Sequence, residues 1–132
     1  MPIEYDIIKD KQLVWVKGSG TITSNDVISH LVMLAADNRY KAPMKKLVDY
    51  RSIDDINILQ EEAGEIASTK EAYSSTFHGE RCAFVSPEDL TYGTSRVHQA
   101  LIDSVDINTE VFRDMNDALN WLGVSLGSNL EK

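Results

Sequence analysis

Arg51, Ser86, Tyr92, Arg96 and Tyr50 are the side chains from which an anion-binding site could be built. Arg51 follows the short apolar run Leu47-Val48, and Ser86 precedes Pro87 with Glu88 and Asp89 behind it. A guanidinium offers a planar fork of donors that matches a carboxylate or phosphate. A helix N-terminus adds free N–H groups and a partial positive charge. In open α/β sheets, ligands bind beyond the carboxyl ends of the strands, where Arg51 and Ser86 fall if both runs are strands. Tyr92 and Arg96 stand four apart, on one face of a helix. Gly93 between them allows close approach by a ligand or a backbone. In such a site Ser86 would cap the helix and orient it rather than react. The competing assignment is structural: Arg51 has Asp49, Asp54 and Asp55 within reach, and Arg96 has Glu88 and Asp89.

Other chemistry is sparsely represented. His30, His78 and His98 lack metal-ligand spacing, and Cys82 sits inside an apolar run as a small hydrophobe would. No nucleophile elbow, phosphate loop or dinucleotide fingerprint occurs. No metal and no cofactor are therefore expected. Tyr50, Tyr73, Phe77 and Tyr92 would suit either a core edge or an apolar pocket for an amphipathic, lipid-like molecule.

The chain that must position these groups has 132 residues, 42% hydrophobic and 26% charged. That is one globular domain, expected over residues 1–124, with a frayed tail at 125–132. The 13 basic residues against 21 acidic give a net charge of −8. With no basic surplus to neutralise phosphates, nucleic acid is not an expected partner. No leader-like start and no apolar run near the ~20 residues of a membrane span are visible, so a cytoplasmic protein without membrane insertion is expected.

The pattern predicts strands over Ile3–Lys9 and Gln12–Lys17, joined by a two-residue turn at Asp10-Lys11. Gly18-Ser19-Gly20 reads as a break. Thr23 and Asp26 predict a capped helix whose Val27, Ile28, Leu31, Leu34 and Ala35 recur at helical spacing. Lys46–Arg51 reads as a buried strand, 52–57 as a loop, and Ile58–Ser75 as a helix with Leu59, Ala63, Ile66, Tyr73 and Phe77 along one stripe interrupted only by Lys70, whose stem suits apolar surface. Arg81–Ser86 reads as a strand covered on both faces. Ser86-Pro87 predicts a further helix start. Thr109–Arg113 closes the set of strands, and Asp114 caps a helix burying Met115, Ala118, Leu119 and Leu122. The expected fold class is α/β: a single mixed sheet of five strands, β-β-α-β-α-β-α-β-α, first strand antiparallel and the rest parallel, with about four helices.

Leu13-Val14-Trp15, Gly20-Thr21-Ile22-Thr23, Leu47 through Arg51, Tyr92-Gly93 with Arg96, and the stretch from Val111-Phe112-Arg113 to Ala118-Leu119-Asn120-Trp121-Leu122-Gly123 resemble small bacterial SpoIIAA-like proteins. These are STAS/CRAL-TRIO-like and mostly have no assigned function. The resemblance implies the sheet above and no established reaction. Related anti-sigma-factor antagonists are switched by phosphorylation of a serine after the third strand. Asn57-Ile58-Leu59-Gln60 fall there in this chain, without a serine. The expected function is a non-enzymatic binding or regulatory module. Its partner would be a protein or a small anionic or amphipathic molecule. An enzyme using the carboxyl-edge cluster and a simple homodimer are the alternatives.

Overall fold

The computed structural model describes residues 2–86 and 108–125. Its strands are β1 (Ile3–Ile8), β2 (Leu13–Thr23), β3 (Lys45–Asn57), β4 (Arg81–Val85) and β5 (Thr109–Phe112). They lie in one sheet in chain order, β1 antiparallel to β2 and every later pair parallel. The described helices are α1 (Ser24–Ala35), α2 (Gln60–Ala72) and α3 (Met115–Leu122). The helix expected after Ser86 falls outside the described residues, as does most of the expected tail.

Alternation along the strands gives the sheet two apolar faces. Val14, Val16, Val48, Tyr50 and Cys82 share one core with Ile22 and Leu34. Leu13, Trp15, Leu47, Ala83 and Val85 share the other with Met115, Ala118, Leu119 and Leu122 of α3. A sheet covered on both faces explains why its strands read as continuous apolar runs.

Local chemistry sets the helix starts. Thr23 accepts a hydrogen bond from the Asp26 N–H while the Asp26 carboxylate accepts one from the Thr23 N–H, a closed capping box. Asp114 caps α3 by accepting from the Asn116 N–H. Glu62 joins the two helices of the first face: its carboxylate accepts from the Leu59 N–H at 2.8 Å and from the Ser24 hydroxyl at 2.9 Å.

Several expected boundaries shift. Lys9–Lys11 forms a 3-10 turn ending on Gln12 at φ 50°, so β1 stops at Ile8 and β2 starts at Leu13. β2 does not break at Gly18. It runs on through Gly20 with register shifts, pairing to β3 as far as Asn57, so 52–57 is strand rather than loop. Gly18 is required there by packing, since a Cβ would come within 2.6 Å of the Tyr50 ring. β4 ends at Val85 and β5 at Phe112, so Ser86 and Arg113 lie just beyond their strands.

α2 is shorter than its expected span. Leu59 stands at its N-cap, 48% exposed, instead of facing the sheet. Tyr73 and Phe77 follow the helix, and Phe77 packs edge-on against both Tyr73 and Tyr40. Phe84, expected to be fully buried, is only partly so.

These placements give a contrast in stability. Leu47→Ala opens a cavity at a fully buried position and should cost about 2–5 kcal/mol. Leu59→Ala should stay within about 0.5 kcal/mol. Urea unfolding of both variants checks the assignment of the two leucines.

Candidate functional site

β3 is the third of the five strands, and side chains near its start emerge from the middle of the sheet. Lys46 pairs with Val14 on one side and Cys82 on the other, in a row that continues to Ile7 and Thr109. The next row on the same face is Tyr5, Val16, Val48, Phe84 and Val111. Lys46, Val48 and Tyr50 alternate on this face, so the fold carries an amine into an apolar layer. Lys46 is only 5% exposed. Burial holds its pKa below the usual lysine range and nearby Lys70 adds to this, while Glu80 and Cys82 act in the opposite direction. Among the described residues, no carboxylate pairs with it.

His30 descends onto the same region from α1, which buries Ser24, His30, Leu31 and Leu34. It is 7% exposed, and neither ring nitrogen has a hydrogen-bond partner among the described residues. The Tyr5 ring packs edge-on against it with centroids 5.4 Å apart, and the Tyr5 hydroxyl is itself tied to Asp37 at 2.8 Å. Burial, helped by the charge of Lys46, lowers the His30 pKa to about 2, so the ring is neutral near pH 7.

Lys46 and His30 line one cavity of about 30 Å³ between the sheet and the two helices, together with Val48, Tyr50, Ile66 and Phe84. A space of that size accommodates a polar group of a few heavy atoms. Ile3 and His30 also line a larger groove of about 310 Å³ between β1 and α1, whose walls include Tyr5, Ser29 and Met33. The imidazole thus borders both the groove and the cavity. The arrangement offers a neutral ring able to donate and accept, the Lys46 amine with Lys70 and Cys82 also on the lining, and otherwise mostly apolar walls.

The carboxyl-edge residues fare differently. Arg51 lies inside β3 rather than at its end. Its guanidinium makes a two-pronged contact with Asp49, Nε and Nη2 each 2.9 Å from a carboxylate oxygen, which raises its pKa further. Alternation puts Asp49 and Arg51 on the sheet face opposite Tyr50, so Tyr50 and Arg51 do not converge. Ser86 leaves β4 just past Val85, the partner of Asp49. It is fully buried; its N–H donates to the Phe112 carbonyl, and its hydroxyl has no partner among the described residues. Tyr92 and Arg96 lie outside the described residues.

Of the expected site, the structure therefore brings Tyr50 to a cavity with Lys46 and His30, two residues the sequence reading left aside. Their signals were present. His30 falls on the stripe Val27, His30, Leu31, Leu34, and Lys46 has the parity of Val48 and Tyr50. Among the described residues, no group of three or more His, Cys, Asp and Glu is placed to hold a metal, and no helix is long and apolar enough to cross a membrane.

An open sheet with one antiparallel edge strand and helices on both faces defines the class of the fold. Among solved structures, the chain is similar to an uncharacterized protein of the DUF3478 family with a SpoIIAA-like fold from Shewanella loihica PV-4. The TM-score is 0.54 at 20% identity, over 91% of this chain and 93% of that one. The fold is therefore SpoIIAA-like. No protein-family model matches the sequence, and no curated protein matches it. The segment 57–60 lies at the junction of β3 and α2, where the resemblance put it, with Ile58 and Leu59 lacking any hydroxyl.

Two outcomes follow. Incubation with a kinase of the anti-sigma-antagonist type should leave residues 52–60 unmodified by mass mapping; a stoichiometric phosphate on Ser52 would contradict this. His30 supplies a pH dependence. Its unfolded pKa near 6.5 exceeds the folded one, so the unfolded chain binds the extra proton, and its contribution is intact above pH 6.5 and lost as pH falls toward about 2. The wild type should lose about 1.4 kcal/mol per pH unit below 6.5 relative to His30→Phe, measured by urea unfolding of both across pH 4–7.

Proposed function

We propose that this protein is a non-enzymatic binding module for a small amphipathic molecule, whose oxygen-bearing end meets Lys46 and His30 in the cavity beside Val16, Val48, Ile66 and Phe84 while its apolar body lies along the larger groove against Ile3, Tyr5 and Met33. The observation that carries the reading is His30: two buried ring nitrogens without a partner among the described residues, on the wall shared by cavity and groove. Buried polar groups are almost always hydrogen-bonded, and leaving one unsatisfied costs about 1–3 kcal/mol. A ligand oxygen in the cavity supplies the missing partner, and the groove adjoins the cavity at Ile3 and His30.

A protein-partner reading draws on Val32 and Met33, both substantially exposed on α1. Isolated apolar side chains at a surface are ordinary, and they weigh less than buried polar atoms. The carboxyl-edge anion site proposed from Arg51, Ser86, Tyr92 and Arg96 would first have to displace Asp49 from Arg51. That exchange also weighs against an enzyme built on those groups.

Backbone NMR with butanoate and butan-1-ol as probes tests the binding module. Both should shift the amides of Val16, Val48, Ile66 and Phe84, and Lys46→Met should weaken butanoate about tenfold, the equivalent of losing one charged hydrogen bond. Shifts confined to the surface, or none, would sink the reading.

A further inference from the structure

Lys46 combines features that an ordinary binding lysine lacks. It is 5% exposed in a sheet face that is mostly apolar, with Lys70, Glu80 and Cys82 as its polar neighbours, and no described carboxylate forms an ion pair with it. It borders a cavity also lined by the neutral His30 imidazole, whose nitrogens have no partner among the described residues. Lysines in dry pockets are nucleophilic at neutral pH because the charged form is disfavoured there. We propose that Lys46 holds its ligand covalently and reversibly, by condensing with a small aldehyde to form an imine in the cavity between the sheet and helices α1 and α2. This rests on the binding reading above and narrows its oxygen-bearing end to a carbonyl.

The step balances without any oxidant or reductant. The lone pair of Nζ attacks the carbonyl carbon, and the carbonyl π pair moves to oxygen, giving a carbinolamine. Both hydrogens of the neutral amine pass to that oxygen, one on forming the carbinolamine and one on its collapse. The C–O bond then breaks, water leaves, and the C=N bond forms. His30 lines the same cavity, and one of its ring nitrogens would hydrogen-bond the oxygen as it gains those protons. Adding water back reverses the sequence and releases the aldehyde unchanged. The burial that holds Lys46 below the usual lysine range supports the same conclusion, since it disfavours the charged form.

The test treats the full chain at pH 7 with butanal and sodium cyanoborohydride, which reduces an imine to a stable secondary amine. Peptide mapping by mass spectrometry then locates the butyl group. Lys46 should be alkylated about tenfold or more faster than any other lysine. Lys46→Met, in which an unbranched side chain of similar reach keeps the packing, should lose that site and leave slow background labelling elsewhere. Even labelling of all lysines, or none at Lys46, overturns the imine whether or not the variant folds. Butanoate and butan-1-ol, observed by NMR without reductant, separate the two failures. If they shift the cavity amides while Lys46 stays unlabelled, the carbonyl proposal falls and the binding module stands. If neither shifts those amides and Lys46 is unlabelled, both fall.

Discussion

The pairing of β2 with β3 is the constraint on which the rest of the structure depends. These are the long strands, and their parallel register runs from Leu13 opposite Lys45 to Thr23 opposite Asn57. The register fixes which β3 side chains point toward α1 and α2. A shift of one residue would send Lys46, Val48 and Tyr50 to the α3 face and bring Lys45, Leu47 and Asp49 into their places. The pairing depends in turn on Gly18, which leaves room for the Tyr50 ring. One small residue in β2 thereby permits an aromatic wall for the cavity.

The two faces of the sheet make different use of charge. On the α3 face, Lys17 stacks over the Trp15 ring at 4.0 Å, Arg51 is held by Asp49, and Arg81 lies over Trp121 while donating to its carbonyl. Each of these charges keeps a partner or a route to solvent, and such pairs contribute modestly. On the α1–α2 face, an amine and an imidazole are enclosed instead. Enclosure costs stability, because burial penalises the charged amine and leaves the His30 nitrogens without partners among the described residues. Departures from simple packing of this kind concentrate where proteins bind or react.

The fold was largely legible because its signals are local. The capping boxes and caps at Thr23 and Asp114, the apolar runs at Leu47-Val48 and Cys82 to Val85, and the α3 stripe each follow from short-range chemistry, and all appear in the structure. Strand lengths were not legible in the same way. Gly18 and Gly20 look like a break in isolation, and only pairing with β3 makes that segment a strand. Leu59 matched the α2 stripe by spacing, yet it sits at the cap, where the chain has not begun to turn. The site was hidden for a related reason. Arginine and tyrosine drew the reading toward the carboxyl edge, whereas Lys46 and His30 gain their character from burial, which depends on contacts distant in sequence.

The central claim is that the sheet carries an enclosed amine into a ligand-accessible cavity. Selective labelling of lysine side chains, followed by NMR titration of each ε-methylene signal against pH, measures this directly, with Lys46→Met assigning the resonance. One lysine should titrate well below the ordinary value near 10.4 and move upward when butanoate is added, as an anion in the cavity favours the protonated amine. A Lys46 signal that titrates with the surface lysines and ignores butanoate would contradict that claim.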